Sequence, residues 1–488
     1  MLATAFLALC AFSSLHAQPN IVLVMTDDQG YGDLSCHGNP VLKTKNIDRL
    51  YAQSLRFTDF HVSPTCSPTR SALMTGRHEF KNGVTHTIFE RERLSLKAIT
   101  LAQVLKDAGY NTGIFGKWHL GDEEPYRPYR RGFTETFIHG AGGIGQTFPG
   151  SCGDAPRNSY FNPAILHNGK FVKTQGYCTD VFFSQAINWI GQASQARKPF
   201  FAYITPNAPH APLDCPESYF KKYQGRVPDN SAKFFGMVEN IDDNIGRLME
   251  FLDKNHLEEN TLFIFMTDNG GTNGVQVFNA GMRGQKATPY MGGTRVPAFW
   301  RWPAKWQGGR DIKGLTAHID IFPTLVEITG AKAPAEVGRR LDGRSLLPLL
   351  TNPQAPWAER ILFTHLGRWE KGLAKEAKYA VVSARNTRYN LVNASRMGEK
   401  WELFDIASDP GEKEDIAAKE PAVVKELKNA IDQWWDALQP ELVNEDAPLA
   451  KGNPFKDLYW KQFGGGPDAE MLKQMDPTRL QKGGKKKN

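Results

Sequence analysis

Two pairs of oxygen-bearing side chains, Asp27-Asp28 and Asp268-Asn269, each follow closely on an apolar run: Asn20-Ile-Val-Leu-Val-Met-Thr26 and Thr261-Leu-Phe-Ile-Phe-Met266. Carboxylates and amides are hard donors, and four of them meeting at two strand ends would suit Ca²⁺ or Mg²⁺. Each pair alone also reads as turn chemistry, since Asp-Asp-Gln-Gly and Asp-Asn-Gly-Gly both favour turns. Their recurrence after two strands points to metal, because ligands of open α/β sheets sit beyond the carboxyl ends of strands.

A second cluster lies at Ser63-Pro-Thr-Cys66-Ser-Pro-Thr-Arg70. Pro68 suits the first turn of a helix, with Leu73 and Met74 on its buried side. Cys66 then stands at or just before a helix N-terminus, where backbone N–H groups favour an anion. Arg70, one turn on, adds a cation that can fork onto an oxyanion. The setting lowers a thiol pKa and would suit a nucleophile; the competing reading is a buried structural cysteine. A thiolate beside a hard cation is chemically mismatched, since hard cations prefer oxygen.

The elements that must hold these residues alternate. Strands are expected at 20–26, 200–204 and 261–266. Amphipathic helices are expected at Leu101, Val104, Leu105 and Ala108, ending at Gly109, and at Val238, Ile241, Ile245, Leu248 and Leu252. That rhythm predicts an α/β fold, a large mostly parallel sheet sandwiched by helices. After about residue 355 short strands at 361–364, 379–382, 389–392 and 402–405 predict a smaller antiparallel sheet, covered by a helix at 421–438. The expected organisation is a signal peptide at 1–17, a catalytic α/β domain at 18–354, and a C-terminal antiparallel sheet-plus-helix subdomain at 355–445. An extended tail at 446–488 ends in a disordered Gly/Lys stretch.

Composition narrows the class. The 488 residues are 41% hydrophobic and 23% charged, which fits a protein with a sizeable core. Four of the formal +7 charges belong to Lys482, Lys485, Lys486 and Lys487, and no basic stripe with interleaved aromatics suggests nucleic acid. Leu2 to Phe12 is apolar but too short to span a membrane, and it is followed by Ser13-Ser14-Leu15-His16-Ala17 and a polar start at Gln18. The chain is therefore expected to be exported, periplasmic or secreted, with no membrane span. Five cysteines would remain after cleavage, an odd number for an oxidising compartment. One disulfide among Cys152, Cys178 and Cys215 is compatible with their loop-like surroundings, and Cys66 is the candidate for the odd one out.

Cys66-Ser-Pro-Thr-Arg70-Ser-Ala-Leu73-Met-Thr75-Gly76-Arg77 resembles the signature of the formylglycine-dependent sulfatases, in the alkaline phosphatase superfamily. Gly116-Lys117-Trp118-His119-Leu120-Gly121 is similar to the family's second signature. Thr205-Pro-Asn-Ala-Pro-His210, Lys286, Gly292-Gly293-Thr-Arg295 and Leu341-Asp-Gly-Arg-Ser345 extend the likeness over residues 20 to about 435. One departure is Met291, where the family often carries a glutamate that we read as structural. His318 and Asp320 are likewise read as structural, near the sheet edge.

The resemblance implies that Cys66 is oxidised to formylglycine by a formylglycine-generating enzyme. It also implies that Asp27, Asp28, Asp268, Asn269 and the modified Cys66 hold one divalent cation, calcium or magnesium. Arg70 would orient the nucleophile, Lys117 and Lys286 would neutralise the sulfuryl oxygens, and Asp268 would accept the attacking proton. His210 would protonate the departing alcohol, and His119 would take the proton whose loss expels sulfate. The implied reaction is hydrolysis of a sulfate monoester on a small molecule or glycan, with a carbohydrate favoured. The loop-rich stretch from His139 to Cys178, with Tyr160, Phe161, His167 and Asn168, is expected at the pocket rim. The alternatives are a phosphonate or phosphate ester hydrolase of the same superfamily, a cysteine hydrolase using Cys66, and a catalytically dead sulfated-glycan-binding protein.

Overall fold

The computed structural model describes residues 18–476. The expected signal peptide and the lysines of the tail lie outside the described residues. The strands are β1 (Asn20–Thr26), β2 (Leu55–Phe57), β3 (Phe60–His61), β4 (Asn111–Lys117), β5 (Glu135–His139), β6 (Ala164–His167), β7 (Lys170–Lys173), β8 (Phe200–Thr205), β9 (Thr261–Thr267), β10 (Ala298–Arg301), β11 (Arg310–Ile312) and β12 (Thr316–Ala317). Ten of them form one sheet in the order β11-β2-β10-β9-β1-β8-β4-β5-β6-β7. Its centre, from β9 to β5, is parallel throughout, whereas β10 against β9 and β6 against β5 are antiparallel.

The period of two explains why β1 and β9 read as unbroken apolar runs. Ile21, Leu23 and Met25 enter one core with Leu262, Ile264 and Met266, while Val22 and Val24 enter the other with Phe263 and Phe265. Both faces of the central strands are covered, as parallel sheets require. One face packs on the helices Cys66–Thr75, Leu101–Asp107 and Ile321–Thr329, and the other on Cys178–Gln195 and Asp229–Lys254.

A second sheet is antiparallel, in the order β13 (Leu362–His365), β14 (Val382–Arg385), β15 (Tyr389–Asn393), β16 (Trp401–Asp405). The helix Pro421–Leu438 lays Leu427 and Ile431 onto Val382, Ala384, Leu391 and Leu403. Each such fully buried Leu or Ile contributes about 1.5–3 kcal/mol relative to exposure. The strand expected at 379–382 begins only at Val382. Tyr379 turns aside to donate to Asp432 Oδ1 at 2.6 Å, and Val381 has φ +52°, which no strand tolerates.

The stretch read as an extended tail forms helices at Pro454–Phe463 and Ala469–Met475. It folds back onto the large sheet: Phe455 joins the main core, and Asn453 Nδ2 donates to the carbonyls of Phe148 and Gly150. The five described cysteines are all free thiols, so the disulfide allowed among Cys152, Cys178 and Cys215 does not form. Cys178 starts a helix and its Sγ faces Asn207 Oδ1 at 3.5 Å, whereas Cys215 Sγ turns to the Pro216 carbonyl.

Candidate active site

The carboxyl ends of β1 and β9 are adjacent and in register, Thr26 beside Thr267, so Asp27-Asp28 and Asp268-Asn269 emerge side by side. All four residues are buried. Asp28 has φ +68°, which turns its carboxylate back over the strand end, and its N–H donates to Asp268 Oδ1 at 3.3 Å. The helix Cys66–Thr75 starts over the same spot, with Cys66 as its first residue. One oxygen each from Asp27 and Asp268 and the Cys66 sulfur lie within 4.8 Å of one another, and Asp27, Asp28 and His210 form a second such group.

Each carboxylate has its own cation. Lys117 Nζ donates to Asp27 Oδ2 at 2.7 Å, both groups fully buried. Lys286 Nζ bonds Asp28 Oδ1, which also accepts from Asn269 Nδ2 at 2.9 Å. Arg70 places Nε and Nη2 on Asp268 Oδ2 at 3.2 and 2.7 Å, and its Nη1 donates to the Lys117 carbonyl at 3.0 Å. Gly116 makes the approach of Lys117 possible: at φ +123° it brings β4 so close to β8 that a Cβ would lie 2.0 Å from the Thr205 carbonyl oxygen.

The charges follow from this arrangement. Burial pushes the Asp27 carboxyl well above its ordinary range, Asp268 adds to that, and Lys117 opposes it. Burial would also raise Asp28, but Lys286 and His210 hold it below the usual carboxylate range. Burial works against Cys66 ionising, yet Lys117 and Lys286 together lower its thiol pKa. Two acceptor oxygens, Asp27 Oδ1 and Asn269 Oδ1, are buried with no hydrogen-bond partner. Orphaned hard oxygens beside two further carboxylates are the donor set a divalent cation needs, so the residues present fit the implied metal.

The histidines are oriented by backbone carbonyls. His119, at φ +59°, places Nε2 2.8 Å from the Thr87 carbonyl, so the proton sits on Nε2 and the buried Nδ1, without a partner, is a free acceptor. Burial, then Lys117, keeps the ring neutral. Gly142 lets the ring approach, since a Cβ there would lie 2.6 Å from His119 Cε1. His210 places Nδ1 2.6 Å from the Ala211 carbonyl and Nε2 4.0 Å from Asp28 Oδ2. Burial lowers its pKa to about 4, against the pull of Asp28.

All ten sequence-derived site residues, Asp27, Asp28, Cys66, Arg70, Lys117, His119, His210, Asp268, Asn269 and Lys286, therefore meet at one place. The rim differs from expectation. Tyr160 is buried and its hydroxyl bonds the carbonyls of Asn207 and His210, anchoring the histidine loop from beneath. His167 and Asn168 pair with Glu135 and Thr136 at the start of β5, away from the strand ends that carry the site. Met291 is buried among Tyr290, Phe404 and Ile406, and its N–H donates at 2.7 Å to Glu412 Oε2, in the loop after β16. His318 and Asp320 brace the joint between the two sheets: His318 Nδ1 lies 3.1 Å from the His61 carbonyl, and Asp320 accepts from Arg360. Sequence reasoning missed Thr87, whose carbonyl fixes His119. A backbone acceptor leaves no trace in residue type.

Residues 19–331 match the family model described as Sulfatase, and residues 285–437 match N-sulphoglucosamine sulphohydrolase, C-terminal. The chain is 32% identical over 382 residues to N-acetylgalactosamine-6-sulfatase of Homo sapiens, covering 72% of this chain and 68% of that one. It is 28% identical over 465 residues to Arylsulfatase J of Mus musculus, covering 86% and 76%. Among solved structures it is similar to Ps i-CgsB in complex with k-i-k-neocarrahexaose, with a TM-score of 0.77, 27% identity, and 93% and 99% of the two chains covered. With a family model matching residues 19–331 and a relative 32% identical, the chain belongs to the sulfatase family of the alkaline phosphatase superfamily and is a sulfatase.

Proposed function

We propose that this sulfatase cleaves sulfate monoesters of carbohydrates at residue 66, converted from cysteine to formylglycine by a formylglycine-generating enzyme. One divalent cation, calcium or magnesium, would be held by Asp27, Asp28, Asp268, Asn269 and residue 66. The observation that carries this reading is a cysteine sulfur within 4.8 Å of oxygens of Asp27 and Asp268, with Asp28 beside Asp27 and orphaned oxygens on Asp27 and Asn269: a soft atom in an otherwise hard set. A carbohydrate substrate is supported by relatives whose names specify an amino sugar and by the neocarrahexaose-bound neighbour. The reading includes export, for which residues 1–17 are the sequence argument, and no helix among the described residues is long and apolar enough to cross a membrane.

A hydrated aldehyde at residue 66 supplies one hydroxyl to attack sulfur and a second whose deprotonation releases sulfate, while the cation supplies charge that polarises a sulfate oxygen. The chain's own groups do the rest. Arg70, forked on Asp268, fixes the helix start that presents residue 66. Asp268, within 4.8 Å of Cys66 Sγ, accepts the proton of the attacking group. Lys117 Nζ and Lys286 Nζ are fixed donors for the sulfuryl oxygens, worth more in this dry site than in water. His210 Nε2 delivers a proton to the departing sugar oxygen; the negative ester beside it raises its pKa, so protonation accompanies binding. His119 Nδ1, a free acceptor, takes the last proton.

The test is the mass of the tryptic peptide spanning residue 66, from protein co-expressed with a formylglycine-generating enzyme, together with turnover of an aryl sulfate. The expected peptide lies about 18 Da below the cysteine form. Turnover should be abolished by Cys66→Ala. Full conversion without turnover of any sulfate ester would overturn the reading.

A further inference from the structure

The rim of the site beside His119 carries cations that the chemistry above does not use. Arg368, in the loop after β13, reaches across from the smaller sheet. Its N–H donates to the Thr85 carbonyl at 2.9 Å, and Nη2 donates to Thr87 Oγ1 at 3.1 Å. Thr87 is the residue whose carbonyl fixes His119, so the Arg368 guanidinium stands two contacts from the catalytic histidine. Its Nε is buried with no hydrogen-bond partner, and Nη2 reaches a hydroxyl, not a carboxylate. Burial lowers its pKa, and the charges acting on it are Cys66 and Asp28 of the site and the like charge of Arg396. Both of those anions already have closer cations, as described above.

Arg396, exposed on the loop after β15, is held near the Arg368 loop because the Ser395 carbonyl accepts from the Val381 N–H and the Val381 carbonyl accepts from the Leu366 N–H, both at 3.0 Å, and no ion pair among the described residues involves it. His86 completes the group. Its Nδ1 accepts from the N–H groups of Thr87 and Ile88 at 2.8 and 3.1 Å, which puts the proton on Nε2. Burial, with Arg368, Arg91, His119 and Arg396 around it, lowers its pKa to about 2, so it stays a neutral donor. These three side chains offer donors, two guanidinium groups and one imidazole N–H, while the nearby Glu445 carboxylate is taken by Thr85 Oγ1 and Trp369 Nε1. A partly buried arginine with unfilled donors and no acid of its own is completed by a ligand's oxyanion.

We propose that the substrate carries a second anionic group, a carboxylate or a further sulfate near the ester that is cleaved, and that Arg368 and Arg396 of the smaller sheet seat it, with His86 Nε2–H as a neutral donor. The proposal rests on the sulfatase reading and narrows its substrate to polyanionic glycans. It also assigns the smaller sheet a role in recognition as well as in packing. The exposed Arg396 makes part of the effect salt-sensitive.

The experiment compares kcat/KM on matched sulfated disaccharides: one with a neighbouring hexuronate, its carboxyl-reduced form, and the form lacking any second sulfate. An aryl sulfate is run alongside. The parent enzyme should prefer the dianionic member of a pair by about tenfold or more. Whether carboxyl reduction or removal of the second sulfate lowers the rate identifies the anion. Arg396→Ala and Arg368→Met should each reduce the preference ratio about tenfold, mainly through KM, with Arg368→Lys recovering part of it. Rising salt should compress the ratio in the parent more than in Arg396→Ala. A purely structural role for Arg368 would lower rates on both members equally and leave the ratio intact, which would overturn the proposal. So would a parent ratio near one. Aryl sulfate turnover with an unmoved ratio removes the anion subsite alone, whereas no turnover of any sulfate ester removes the sulfatase reading and the subsite with it.

Discussion

Replacing Arg70 by methionine tests whether the site is held by matched buried charges. The side chain is 1% exposed and its partner Asp268 fully buried, joined by two hydrogen bonds to one oxygen. Methionine fills similar volume but leaves Asp268 without its cation and the Lys117 carbonyl without a donor. An uncompensated buried charge costs about 3–5 kcal/mol. An unpaired carbonyl adds about 1–3 kcal/mol. The expected loss is therefore about 4–8 kcal/mol, comparable to the whole stability of an ordinary domain. Arg70→Lys keeps the charge and loses the fork, so it should recover more than half. Calcium should stabilise Arg70→Met more than the parent, because in the variant it meets a carboxylate with no competing cation. Urea unfolding near neutral pH, followed by tryptophan fluorescence with and without chelator, reads all three. A loss under about 1 kcal/mol for Arg70→Met, or Arg70→Lys as damaging as Arg70→Met, would refute the charge-matching argument.

Two further outcomes follow from the same geometry. Chelation should abolish turnover and also change how stability depends on pH: Asp27 is raised above its unfolded value, so the ion-free fold binds the extra proton and loses stability as pH rises from about 4. Calcium restores the ionised form and should flatten that slope; the difference between chelated and calcium-loaded unfolding curves isolates it from the other raised carboxyls, and parallel curves would contradict it. His210→Ala should lower kcat/KM on a sugar sulfate by about 10²–10⁴-fold. The same variant should lose far less on an aryl sulfate with a good leaving group, and equal losses on both would show that His210 does not protonate the departing oxygen.

What the sequence disclosed depended on how local its physics was. β1 was legible to the residue because both of its faces are buried, leaving an unbroken apolar run that stops at Asp27. The helix at Cys66 was legible from Pro68, and the helix Pro421–Leu438 from its leading proline and its period. β4 was not, because Gly113 and Gly116 dilute its pattern, and Gly116 is needed for close approach to β8 and not for strand formation. The site residues came from the resemblance more than from spacing. His119 and His210 lie in loops, and what orients each is a backbone carbonyl. Arg368 was illegible for a different reason: its partner Thr87 lies 281 residues away and offers a hydroxyl, which carries no charge to suggest a contact.

The one-to-one pairing of acids and cations explains how a single pocket can accept both a metal and a sulfate. Asp27 with Lys117, Asp28 with Lys286, and Asp268 with Arg70 put a cation beside each buried acid, so no acid of the set is buried alone. A divalent cation entering among the carboxylates adds two positive charges. It would compete with Lys117 and Lys286 for the acids' oxygens, leaving the two lysines as donors for a ligand. The pocket then carries net positive charge where the ester's sulfuryl oxygens must sit, and His210 beside Asp28 meets a new negative group that favours its protonated form. Metal and substrate thereby reinforce each other through shared residues, a coupling that is reciprocal by necessity. On the proposed reading the cysteine at the helix start would belong to this logic only as an oxygen centre: as a thiolate it would add a soft anion to a hard set, and as an oxidised residue it would complete that set.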